Sequence, residues 1–189
     1  MGSVGRHPGF QLNLDRVSLV SVSELFRFPN PVNEVSARLV AGGVLLMGLA
    51  CLAFRLPWLI PVMAVGFLLR VAAGPRFDPL GLLVTRVITP RLPVAERLTP
   101  GPPKRFAQSI GAVFTVAATI AFYGFDQPVI AYGLMAVLVV FAALESLLGF
   151  CMGCKVFAVL MRLGVIPESV CEECNDLSLR WARLGASVD

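Results

Sequence analysis

Residues 129–150 read VIAYGLMAVLVVFAALESLLGF, a run whose single charge is Glu145. A helix of that length extends about 33 Å, and the hydrocarbon core of a bilayer is about 30 Å thick. The apolar side chains go all the way round rather than along one stripe, which marks a fully buried helix or a membrane span. Working outward, Leu39 to Phe54, Trp58 to Ala73 and Ala107 to Phe122 are similarly poor in charge. The first two of these blocks are near the lower length limit for a span, and the third is comfortable. The chain is 57% hydrophobic and only 15% charged, against about a quarter charged in ordinary globular domains. Four such blocks in 189 residues predict an all-α integral membrane protein, a four-helix bundle.

Charge predicts its orientation. The segment between the second and third blocks carries Arg76, Arg86, Arg91, Arg97, Lys104 and Arg105. The other two turns carry Arg55 and no cation, respectively. Positive residues mark the cytoplasmic side, so a multi-pass protein of the plasma (inner) membrane is expected, with both termini and the middle loop inside. A pI near 9.0 then reflects topology and lipid contact, and no nucleic-acid motif is present. Residues 1–30 read as a cytoplasmic arm: they carry Arg6, Asp15, Arg16, Glu24 and Arg27 and lack a signal-like apolar region. His7, the sole histidine, lies in that arm and reads as solvated.

Within the membrane domain, residues 31–164, two halves resemble each other. Pro31-Val32-Asn33-Glu34 and Pro102-Pro103-Lys104-Arg105 each lead into a glycine-containing span, with Gly43 matching Gly111. Turns at Pro57 and Pro128 precede Val62-Met63-Ala64-Val65 and Leu134-Met135-Ala136-Val137. Repeats of about 31–92 and 100–164 follow. An even number of spans per half makes them parallel, with the functional site expected at their interface. Each span pair should end in a short amphipathic cytoplasmic helix, Pro79 to Ile88 and Cys154 to Leu163. Leu80, Leu83, Val84, Val87 and Ile88 would face lipid. Arg70 and Glu145 stand four residues before Gly74 and Gly149, at equivalent positions. An unpaired charge inside a membrane costs at least about 2.5 kcal/mol, so an Arg70–Glu145 ion pair is expected. Glu145 as a proton carrier to Cys151 is the alternative.

The chemistry-bearing motifs are Cys151-Met-Gly-Cys154 and Cys171-Glu-Glu-Cys174. On the cytoplasmic side a permanent disulfide is not expected. As dithiols, Cys151 would attack from a surface position at a helix start beside Lys155, and Cys154 would resolve. Cys171 and Cys174, among Glu168, Glu172, Glu173 and Asp176, would be a second pair in a relay. As metal ligands, the spacing C-x2-C-x16-C-x2-C suits tetrahedral zinc or a rubredoxin-like iron. A zinc would fasten a C-terminal helix, Asp176 to Leu184, to the end of the fourth span, so residues 165–189 form a cytoplasmic extension on either reading. The dithiol reading needs no cofactor. Cys51, mid-span, reads as packing.

Pro102-Pro103-Lys104-Arg105-Phe106-Ala107-Gln108, the two spans after it and Gly149-Phe150-Cys151-Met152-Gly153-Cys154 resemble the bacterial membrane proteins grouped as domain of unknown function family 4395. Residues from Pro31 through Asp78-Pro79-Leu80-Gly81 to Pro90 are similar too, so the resemblance covers about Val32 to Leu163. It implies a four-helix membrane protein of actinobacterial type with a CxxC after the fourth span, associated with thioredoxin-like or sulfurtransferase partners. The expected function is therefore a membrane thiol–disulfide component exchanging electrons with such a partner, quinone being a candidate for the other end. The alternative from a different class is a non-enzymatic membrane subunit or anchor of a larger complex, stapled by a structural metal.

Overall fold

In a computed structural model, residues 30–93, 97–167 and Val170 are described. The N-terminal arm and the stretch holding Cys171, Cys174 and the expected C-terminal helix lie outside them.

The described chain is mostly helical. A two-residue strand, β1 (Val32–Asn33), enters helix α1 (Glu34–Phe54). Asn33 caps that helix by accepting from the Val35 N–H at 3.0 Å, and Glu34 complements the positive end of its dipole. Arg55 stops it in the left-handed conformation at φ 49°, and Pro57 follows. Helix α2 (Leu59–Ala73) ends at Gly74, whose φ of 68° and ψ of −152° suit glycine alone. Helix α3 (Pro79–Leu83), capped by Asp78, runs on as a π-helical turn over Val84–Ile88. Strand β2 (Leu98–Thr99) pairs antiparallel with β1, Val32 opposite Thr99 and Asn33 opposite Leu98. Helix α4 (Gly101–Thr119) starts with two prolines in its first turn, where no N–H is missed, and continues as a π-helical turn to Gly124. Helices α5 (Pro128–Leu148) and α6 (Met152–Arg162) complete the order.

The longest helix contacts cross between the halves. Helix α2 lies chiefly along α4, and α1 lies chiefly along α5. The core between them holds Val44, Ile60, Met63, Phe67, Ala112 and Met135. Small residues set the closeness: a Cβ on Gly43 would come within 2.6 Å of Leu80. Polar side chains within the helices satisfy themselves locally. Thr115 donates to the Gly111 carbonyl at 2.8 Å and Thr119 to the Thr115 carbonyl at 2.8 Å.

Three helices, Glu34–Phe54, Gly101–Gly124 and Pro128–Leu148, are long and apolar enough to cross a membrane. Leu46, Val113 and Leu147 point outward from them, at 66–70% exposure, as lipid-facing side chains do. The block from Trp58 to Ala73 forms a shorter apolar helix of 15 residues, about 22 Å long, because Pro57 and the Gly74-Pro75 pair bound it. Both expected terminal elements form, the second from Met152 rather than Cys154. The lipid-facing assignment of the first needs correcting. Val84 is 2% exposed and Leu80 packs over Gly43, because the element lies against α1; Leu83 and Val87 do face outward.

Candidate functional site

The C-terminus of α5 is fixed first. Gly149 adopts φ 66° and its N–H returns to the Glu145 carbonyl, while Phe150 donates to the Leu144 carbonyl at 3.1 Å. This left-handed cap reverses the chain without a gap in hydrogen bonding. Arg38 of α1 then reaches across and donates to the exposed carbonyls of Ser146 at 3.3 Å and Leu147 at 3.1 Å. Two residues past Gly149 comes Cys151, and α6 begins immediately after it.

Cys151 is the N-cap of α6. Its Sγ accepts from the Cys154 N–H at 3.4 Å, the position a serine or aspartate oxygen would occupy. The Cys154 thiol also donates to it, with the two sulfurs 2.7 Å apart. Both cysteines are free thiols. Gly153 permits this placement: a Cβ there would stand 2.6 Å from Ala107 Cα, so α6 seats directly on α4. Phe157 against Phe106, ring centroids 5.6 Å apart, holds the contact.

The electrostatics separate the two thiols. The Cys151 thiol is held below the ordinary cysteine range, chiefly by the hydrogen bond from Cys154 and with help from the Lys104 cation; burial and Glu145 oppose this. The Cys154 thiol is pushed up, first because it donates to Cys151 and then by burial. Of the two, Cys151 is the one biased toward thiolate and Cys154 the one biased toward keeping its proton. Accessibility runs the other way: Cys151 is 8% exposed and Cys154 is the more open of the two. The surface position expected for the first thiol is corrected here, because the seat of α6 on α4 turns Cys151 inward.

The expected Arg70–Glu145 pair is also corrected. Arg70 stands 3.3 Å from Asp78, and Glu145 bonds Lys104 at 2.7 Å. Each charge finds a partner at the start of the neighbouring element. Asp78 is the α3 cap, accepting from the Gly81 N–H at 2.6 Å, and Lys104 lies in the first turn of α4. Lys155, the cation expected beside the thiolate, instead lies over the Phe150 ring at 5.7 Å. Lys104 takes that role. It stands three residues before Ala107, on the helix face that meets α6, and the sequence alone does not show that face. It reads there as one more topology-setting charge.

Cys151 opens onto a cavity of about 270 Å³ between the two halves. Phe67, Phe114 and Phe141 wall it, and Arg70, Gln108 and Glu145 bring polar groups to it. Among the described residues no three His, Cys, Asp or Glu side chains gather as a metal site. Cys171 and Cys174, the other half of the expected four-thiolate set, lie outside those residues. Cys51 is fully buried, its Sγ donating to the Leu56 carbonyl at 3.4 Å.

The chain belongs to the family described as Domain of unknown function (DUF4395), which matches residues 32–162. No curated protein and no solved structure matches the chain.

Proposed function

We propose that this protein is a four-span membrane thiol–disulfide component that exchanges electrons with a soluble thioredoxin-like or sulfur-carrier protein through Cys151 and Cys154. The observation that carries the reading is the 2.7 Å contact of the two sulfurs at the start of α6. A thiol pair at this separation can close to a disulfide with little movement, and one member is already biased toward thiolate.

The burial difference orders the steps. Starting from the disulfide form, a partner thiolate attacks Cys154 Sγ, the more open sulfur, and the Cys151–Cys154 bond breaks. Cys151 leaves as the stabilised thiolate; a low-pKa thiol is the better leaving group. The partner's second thiolate attacks its own sulfur in the mixed disulfide and releases Cys154, which takes up a proton. The partner ends oxidised by two electrons, and the Cys151–Cys154 pair holds them.

The membrane arrangement belongs to the same proposal. All four apolar helices span the membrane, with α2 accommodated by local thinning and snorkelling flanks. The two halves are parallel repeats, and both termini and the middle loop are cytoplasmic. Pairings that recur between the halves support the duplication. Arg38 bonds the Ser146 carbonyl at the end of α5, and Arg105 bonds the Val71 carbonyl at the end of α2 at 3.0 Å. The paired strands β1 and β2 each lead into the first helix of a half.

The test uses the oxidised full chain in detergent and a thioredoxin whose second active-site cysteine is serine. A trapped mixed disulfide mapping to Cys154 is expected. Trapping at neither Cys154 nor Cys151 would overturn the reading.

A further inference from the structure

We propose that the cavity beside Cys151 is a binding site for the ring of a lipid-soluble quinone, which takes the two electrons of the dithiol. The inference rests on the dithiol reading above and adds the second substrate. Three observations point to it.

The first is that Cys151 faces inward. A cysteine at 8% exposure that lines a cavity is placed for a small reactant inside the protein rather than for a docking protein. The second is the wall. Phe67, Phe114 and Phe141 give a largely apolar enclosure suited to a flat ring. About 270 Å³ lies just under the ordinary range for small-molecule sites, which starts near 300 Å³. A ring fits within it and a long apolar tail does not. The tail would leave along Val156, which lines the cavity and is 39% exposed.

The third observation is the polar equipment. Arg70 is 5% exposed. Its Nε is committed to the Gly66 carbonyl at 3.2 Å and stands 3.3 Å from Asp78. Among the described residues no acceptor bonds its Nη groups, so they can donate to a ligand carbonyl. Among the described residues Gln108 Oε1 is buried without a hydrogen-bond partner, a polar atom that a bound water or a ligand hydroxyl would complete. A quinone carbonyl accepts from Arg70, and a quinol hydroxyl donates to Gln108. The amide of Gln108 can turn to offer its N–H₂ to the oxidised form. A free anion is a poorer occupant. Arg70 and Lys104 are each already balanced by a carboxylate, so an anion would bring an uncompensated charge into an apolar enclosure.

The step balances within the named groups. The Cys151 thiolate attacks a ring carbon, a C–S bond forms, and the displaced π electrons go to the quinone oxygens. Cys154 gives up its proton and its sulfur attacks Cys151 Sγ. The S–S bond forms, the C–S bond breaks, and that electron pair stays on the ring. Thiolate, thiol, quinone and one proton from solvent yield disulfide and quinol.

The experiment uses the reduced full chain in lipid nanodiscs without oxygen, and fully ring-substituted benzoquinone and naphthoquinone analogues, on which a thiol adduct has no ring hydrogen to lose and so cannot persist as a stable thioether. Glutathione disulfide is the comparison oxidant. The expected result is one quinone reduced per chain, with the new disulfide mapped to Cys151–Cys154 and no reduction in Cys151→Ser. Ala41→Phe places a ring into the cavity, and Arg70→Lys removes the fork. Each should raise the half-saturating quinone concentration at least tenfold more than that of glutathione disulfide. Oxidation by glutathione disulfide with no quinone reduction by the unaltered chain would overturn the quinone site and leave the dithiol reading standing. Quinone reduction that Ala41→Phe does not impair would also overturn the site. Oxidation by neither reagent would overturn both.

Discussion

At the level of single residues, two thiols three positions apart differ in charge bias and in exposure. Cys151 is stabilised as the anion chiefly by the hydrogen bond from Cys154, so its alkylation by iodoacetamide should be half-maximal at a pH below that of an ordinary cysteine. Cys154→Ala removes the donor and should move that midpoint upward; Cys154→Ser keeps a donor and should preserve most of the depression. The sign for stability follows. The folded-state value lies below the unfolded one, so the contribution is present above the unfolded value and fades as pH falls through the folded one. An unchanged midpoint in Cys154→Ala would contradict the assignment. The charges nearby make a second case. Removing one member of a buried ion pair costs about 3–5 kcal/mol, so Lys104→Ala and Glu145→Ala should each lower the melting temperature. The exchange Lys104→Glu with Glu145→Lys should restore folding better than either single reversal, whereas the exchange of Arg70 with Glu145 should not. Failure of the first exchange, or success of the second, in a detergent melting assay would refute the observed pairing.

At the scale of elements, two glycines place the site. Gly149 ends α5 in a conformation that favours glycine, and Gly153 lets α6 seat on α4. Gly153→Ala should therefore cost about 1–3 kcal/mol through overpacking. It should also raise Cys151 labelling by a neutral maleimide, because α6 must lift from Ala107. A variant of unchanged stability and labelling would show that the seat is not tight. The sequence reveals the elements well, because long all-round apolar runs and proline–glycine stops act locally. It places Pro79 to Ile88 and the helix after Cys151 within two residues. What it misses is which faces meet. Leu80 and Val84 look like lipid-facing residues until α1 is seen beneath them, and Lys104 looks like a loop charge until α6 brings Cys151 beside it. Those facts depend on non-local packing, which neither periodicity nor spacing encodes.

At the scale of the whole molecule, the pairing of α2 with α4 and α1 with α5 puts the cavity where the two halves meet. The residues lining it come from both stretches, Val40, Phe67 and Arg70 from the first and Phe114, Glu145 and Cys151 from the second. The proposed orientation makes a direct prediction. Single cysteines introduced at Arg91 and at Asp126, in a chain otherwise free of cysteine, should lie on opposite sides of the membrane. An impermeant maleimide applied to intact cells should label the second and not the first. The reverse pattern would invert the topology and move the CxxC out of the reducing compartment, with consequences for the direction of electron flow.

A redox titration of the purified full chain in glutathione buffers, with mass mapping of the cysteines at each step, decides whether Cys151 and Cys154 work as a dithiol pair. The expected result is a reversible two-electron transition in which Cys151 and Cys154 disappear together as free thiols, joined to each other, and which Cys151→Ser or Cys154→Ser abolishes. Cysteines that stay free across the whole range, or that pair with Cys171 and Cys174 instead, would contradict it.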